Sequence, residues 1–306
     1  VTVRKAVRCL AQAGWLSVLA LPGCKPAVLD PRGPVGAQDA QILIDSLVIM
    51  LVIIVPTLVA AASFAFWFRA SNTRARFRPD FVHSGRIELL VWSIPLLVIT
   101  LLGGVVWIGS HRLDPKQSLP GTPLVIQGVA LDWKWLFIYP EQHIAAVNQI
   151  SIPVGRPIQF SLTSASVMNA FFIARLGSMI YTMNGMATTL NLQAAQPGQY
   201  LGISSHFSGD GFSDMHFTVD AMPQDKFDAW VTGARGGGKV LDAAAYNALA
   251  RQSEHVPAYT FGNVSPGLFQ DIVLQKLPPG PGPAENPGGR PSKPPGSEAA
   301  SRRADR

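Results

Sequence analysis

The chain has 306 residues, 48% of them apolar and only 14% charged, and its mean hydropathy of +0.22 is too high for an ordinary water-soluble protein. The formal net charge is +6, but the cations gather in the first residues, one short loop and the tail, which argues against a nucleic-acid-binding face. Cys9 and Cys24 are the only cysteines, so the C-terminal half holds no thiolate for a metal.

Residues 1–24 read as a bacterial export signal. Arg4, Lys5 and Arg8 precede a short apolar core from Cys9 to Ala20. Leu21-Pro22-Gly23-Cys24 resembles a lipobox, which makes Cys24 the expected lipidated, mature N-terminus. The plainer reading is a free cysteine in an uncleaved leader. Residues 25–110 are then expected to form a transmembrane hairpin. A Pro/Gly/Asp-rich loop covers 25–40, and spans cover about 44–67, with Pro56 near the middle, and about 87–108. Between them lie Arg69, Arg74, Arg76, Arg78 and Arg86, an enrichment that puts this loop in the cytoplasm and everything after Ser110 in the periplasm.

From residue 124 the periodicity becomes that of strands, expected at 124–130, 133–139, 146–153, 158–164, 171–174, 180–183, 188–193, 200–204 and 215–221. Residues 111–222 therefore read as an antiparallel sandwich or barrel. Residues 223–276 turn helical, with Phe227, Trp230 and Val231 spaced for one face and a second helix over 241–251. Residues 277–306 are rich in Pro, Gly, Ser, Lys and Arg and are expected to be disordered. The fold class is thus an α+β membrane protein, a two-helix transmembrane hairpin followed by an all-β domain.

Two features invite a functional reading. Trp133, Trp135, Phe137 and Tyr139 alternate, so a strand puts all of them on one face, either as sandwich core or as a docking surface for a partner. Glu88 follows Arg86 in the first turn of the second span. A carboxylate there is either an ordinary helix-start acid or part of a proton route. Phosphate loops, haem-attachment motifs, nucleophile elbows and zinc-protease motifs do not occur, and neither span holds a histidine.

The stretch 200–215 reads Y-L-G-I-S-S-H-F-S-G-D-G-F-S-D-M. It resembles the dinuclear copper loop of cytochrome c oxidase subunit II, Cys-x-Glu-x-Cys-x-x-x-His-x-x-Met. In that frame Ser204 and Ser208 stand at the cysteine positions, His206 at the glutamate, Phe212 at the histidine, and Met215 is retained. The family's upstream histidine falls on Asn169, within Val167-Met168-Asn169-Ala170-Phe171. A mixed-valence copper pair needs bridging thiolates, which serine cannot replace. A lone copper on His206, Met215 and His216 is disfavoured because adjacent strand residues point to opposite faces.

A chain that keeps this frame without the copper ligands resembles subunit II of bo-type ubiquinol oxidases, over roughly residues 24 to 275. The resemblance implies a cupredoxin-like Greek-key domain and a non-redox, structural subunit of a proton-pumping quinol oxidase. It implies no cofactor on this chain, with haems and copper in subunit I. The implied partners are subunit I, the other subunits, ubiquinol through the complex, and membrane lipid. It also implies that Glu88 lies at the mouth of a proton-uptake channel of subunit I. The alternatives are a copper-binding cytochrome c oxidase subunit II, which the missing cysteine pair opposes, and a free-standing membrane-anchored cupredoxin-like binding module.

Overall fold

The computed structural model describes residues 26–76 and 81–282. The expected leader with Cys24, Arg78 in the loop, and the tail beyond residue 282 lie outside the described residues.

Helices α1 (Pro34–Trp67) and α2 (Gly85–Arg112) have 34 and 28 residues, so they measure about 51 and about 42 Å at the usual rise. Both exceed the roughly 30 Å of a bilayer's hydrocarbon core. Val52, Leu89, Trp92 and Ile99 are each more than two-thirds exposed, an arrangement that lipid favours and water penalises. The chain is anchored in a membrane.

Helix α1 starts about three turns before the expected span, because the Pro/Gly-rich stretch read as a loop supplies a helix start, with Pro34 in its first turn. These early turns root the helix in the β domain. The Gly36 N–H donates to the Leu176 carbonyl at 2.9 Å, and the Ser178 hydroxyl donates to the Asp39 carboxylate at 2.9 Å. Gly33 is required at this junction, since a Cβ there would sit 2.1 Å from the Gln193 carbonyl oxygen.

The β domain contains β1 (Leu124–Leu131), β2 (Lys134–Tyr139), β3 (Ile144–Val147), β4 (Gln149–Pro153), β5 (Pro157–Ser164), β6 (Asn169–Phe172), β7 (Ile180–Thr182), β8 (Thr188–Gln193), β9 (Gly198–Ser204) and β10 (His216–Met222). They form two sheets, ordered β3-β2-β1-β5-β8 and β4-β10-β9-β6-β7. β1 pairs parallel with β5 and β4 with β10. The curled, mostly antiparallel architecture is cupredoxin-like.

The single strand expected at 146–153 is two strands in two different sheets. Asn148 makes the switch, in a left-handed conformation at φ 53°, which asparagine tolerates better than most residues. Its side chain supports the corner, accepting from the Trp135 N–H at 2.8 Å and donating to the Val256 carbonyl at 2.8 Å.

Beyond β10 come α3 (Gln224–Arg235), β11 (Val240–Leu241), α4 (Ala243–Leu249), β12 (Tyr259–Phe261), β13 (Asn263–Val264) and α5 (Leu268–Val273). Helix α4 is shorter than expected, since the Asp242 side chain caps it by accepting from the Ala245 N–H at 2.8 Å. β12 adds to the outer edge of the first sheet beside β3. The extension thus lies over that sheet's outer face and builds a second core, in which Leu136 and Ile138 meet Leu241, Tyr246, Phe261, Leu268 and Phe269.

Residues 277–282, part of the stretch expected to be disordered, are instead anchored to the β domain. Gly280 donates its N–H to the Ala165 carbonyl and Gly282 donates to the Asp132 carboxylate, both at 2.9 Å. Side-chain composition misses this anchoring because the backbone makes it.

Candidate functional site

Strand pairing assembles the degenerate copper positions. β6 and β9 are neighbours, with Phe171 opposite Ser204, and Asn169 opens β6. The Ser204 N–H donates to the Met215 carbonyl at 3.1 Å, closing the loop between β9 and β10. Asn169, Ser204, Ser208 and Met215 are all buried. The Ser204 hydroxyl donates to the Asn169 side-chain oxygen at 3.1 Å, and the Ser208 hydroxyl reaches the Met215 sulfur at 3.8 Å. The polar groups at these positions satisfy one another.

His206 and Phe212 stay on the rim, half-buried. The His206 ring meets Tyr181 edge-on at 5.9 Å, and Phe212 meets Phe207 at 5.5 Å. His216 is exposed while Met215 is buried, so the adjacent pair diverges as strand geometry requires. The resulting donor set offers two hydroxyls, an amide oxygen, a thioether and, at the rim, the His206 imidazole. None of these is an anionic bridging ligand for a copper pair.

Trp133, Trp135, Phe137 and Tyr139 are not a docking face. All are buried, the last three completely. Trp135 packs between Phe137, Phe171 and Phe217 at ring separations of 5.4 to 6.1 Å. Tyr139 donates its hydroxyl to the Ser151 carbonyl at 3.0 Å, and burial raises its pKa. The alternation reports the sandwich core because both sheets bury their inner faces. Trp133 differs from the other three. It precedes β2 at φ 64°, and its indole N–H donates to the Ser208 carbonyl at 3.1 Å. Its ring lies on Gly211, where a Cβ would come within 2.5 Å. The tryptophan therefore forms the floor of the degenerate loop.

Sequence reasoning missed a buried charged pair on the other face of β2. Lys134 is fully buried. Its ammonium donates to the Arg251 carbonyl and the Ser253 hydroxyl, both at 2.7 Å, and to the Asp132 carbonyl at 3.2 Å. Burial pushes its pKa down to about 8, partly opposed by the Asp132 charge. Asp132 in turn holds the Ser166 hydroxyl and the Gly282 N–H. These two residues tie the C-terminal extension to the sheet. The only sequence signal was a lysine and an aspartate flanking a tryptophan in an otherwise apolar strand.

Glu88 lies in the first turn of α2, far in sequence from the β-domain loop. Its carboxylate is exposed and 3.4 Å from the His83 Nδ1. An imidazole and a carboxylate therefore share this helix start.

A family model described as the periplasmic domain of cytochrome c oxidase subunit II matches residues 140–222, and one described as the COX aromatic-rich motif matches 235–280. A ubiquinol oxidase subunit 2 of Acetobacter aceti is 48% identical over 266 residues, covering 86% of either chain. A cytochrome bo(3) ubiquinol oxidase subunit 2 of Pseudomonas aeruginosa is 44% identical over 266 residues, covering 85% of this chain and 80% of the relative. The solved periplasmic domain of cytochrome oxidase subunit II from Bradyrhizobium japonicum covers 39% of this chain and 98% of that one, at 22% identity and a TM-score of 0.38.

Proposed function

This chain belongs to the ubiquinol oxidase subunit 2 family, and we propose that it is the copper-free, non-redox subunit II of a proton-pumping complex that carries electrons from ubiquinol to oxygen. One observation carries the reading. A chain 48% identical over 86% of its length to a ubiquinol oxidase subunit holds hydroxyl, amide and ring groups where a copper pair needs thiolates and imidazoles. No electron then passes through the β domain. Haems, copper and the quinol site belong to subunit I, and this chain caps the complex and borders its proton entrance at Glu88. Nothing in the site favours a free-standing binding module.

The same reading sets the orientation. The arginine-rich loop faces the cytoplasm of a bacterium, the β domain stands in the periplasm above the inner membrane, and Cys24 carries the lipid anchor. Mass spectrometry of the mature N-terminus in the natural host tests the last point. A diacylglyceryl-modified Cys24 supports it, and an intact leader rules it out.

The deciding experiment is gentle detergent purification through this chain, with visible spectroscopy and oxygen uptake on a quinol. Co-purifying haem and quinol-dependent uptake are expected. A preparation free of haem protein overturns the assignment.

A further inference from the structure

We propose that the periplasmic half of the groove between α1 and α2 binds one zwitterionic aminophospholipid of the phosphatidylethanolamine class. Its phosphate lies on Arg112, its ammonium on Asp45, and an acyl chain runs down the helix interface. The proposal takes its orientation from the reading above and needs nothing else of the oxidase assignment.

Gly109 lets the helices approach closely, since a Cβ there would come within 2.7 Å of the Ile42 side chain. On the membrane side of this contact the helices leave a groove of about 540 Å³, lined by Val48, Val52, Pro56, Leu97 and Leu101 among others. Its one polar side chain, Thr57, is turned inward and donates to the Ile53 carbonyl at 2.8 Å. Around the contact itself is a second cavity of about 280 Å³, and Gln41, Asp45 and Arg112 line it. The two cavities follow one stripe on each helix. Residues 42, 45, 49 and 52 on α1 and 109, 105, 101 and 98 on α2 recur every three to four positions, the spacing of neighbours on one helix face.

Charge selects the occupant. Side chains lean toward the N-terminus of their own helix. In an antiparallel pair Asp45 therefore leans outward and Arg112 inward, toward one depth at the Ile42–Gly109 contact. They do not meet within ion-pair distance. Among the described residues the carboxylate of Asp45 accepts only from the Gln41 amide, at 2.7 Å. The Arg112 guanidinium has no hydrogen bond or ion pair among the described residues. A carboxylate at the edge of the hydrocarbon is costly until it is paired. A headgroup whose phosphate and primary ammonium are joined by a two-carbon linker answers both charges at once, and its acyl chain fills the apolar groove. A transmembrane helix from a partner would fill the groove but leave both charges to find partners elsewhere.

The test is native mass spectrometry of the full-length chain in mild detergent, offered phosphatidylethanolamine, phosphatidylcholine or phosphatidylglycerol with identical acyl chains. The parent is expected to retain one phosphatidylethanolamine, at least about threefold more than phosphatidylcholine, whose quaternary ammonium donates no N–H to Asp45. Asp45→Asn should erase that preference, and Arg112→Gln should lower retention of all three lipids. Leu97→Trp, which fills the groove and leaves the charges intact, should also lower all three. Equal retention of phosphatidylethanolamine and phosphatidylcholine by the parent overturns the proposal without reference to any variant. So does a cysteine placed at Val52 that crosslinks to another polypeptide in native membranes, since the groove then holds protein.

Discussion

The indole N–H of Trp133 donates to the carbonyl of Ser208 at 3.1 Å, bridging the start of β2 to the loop whose spacing resembles that of the dinuclear copper loop. The Ser204–Asn169 and Ser208–Met215 contacts hold the same loop from its other side. Trp133→Phe should free the Ser208 carbonyl and cost about 1–3 kcal/mol. Gly211→Ala should displace the same ring at a similar cost. Both variants should speed amide exchange across residues 205–215, whereas Trp135→Phe, in the sandwich core, should leave exchange there unchanged. Hydrogen exchange read by mass spectrometry separates the three.

Copper loading tests the donor set directly. The parent chain should take up no stoichiometric copper. A variant combining Asn169→His, Ser204→Cys, His206→Glu, Ser208→Cys and Phe212→His, with Met215 retained, should bind copper and gain intense thiolate absorption. About two coppers per parent chain would defeat the non-redox reading.

Lys134 makes stability depend on alkaline pH. Its ammonium titrates near 8 in the folded chain and near its ordinary 10.5 once unfolded, so between those values the unfolded state binds the extra proton. Stability from this residue therefore rises with pH through that window, and the burial penalty is fully present below about 8. Urea unfolding of the parent and of Lys134→Met should show the parent gaining on the variant from pH 8 to 10.5. A constant difference means the lysine does not lose its proton on folding.

Glu88 and His83 are expected to act together in proton entry. Glu88→Ala should lower oxygen uptake per haem with assembly intact, and Glu88→Asp should recover part of it. His83→Gln should lower uptake in the same direction as Glu88→Ala. If Glu88 serves only the helix start, turnover stays at the parent level and the loss is a stability change of about 0.3–1 kcal/mol.

Much of this was legible along the chain. The spans are written in long, mostly apolar runs, and the strands in alternation. The copper positions are written in spacing, because a loop between two paired strands keeps its ligand positions in register even when their chemistry changes. The four-aromatic stripe was legible as one face, but whether that face looked inward or toward a partner was not.

The sequence by itself determined the two membrane helices, the β domain and the chemistry of the degenerate loop, since each depends on residues close together in the chain. Only the tertiary structure decided that β2 is buried on both faces. It also decided that Asn148 splits one strand between two sheets, that residues 277–282 are held by Asp132 and Ala165, and that Asp45 and Arg112 share a cavity. The physical reason is common to all four. Periodicity records which side of an element is apolar, but what covers that side comes from segments far away in the chain. Here these are the extension after residue 240 over β2 and the second helix against the first.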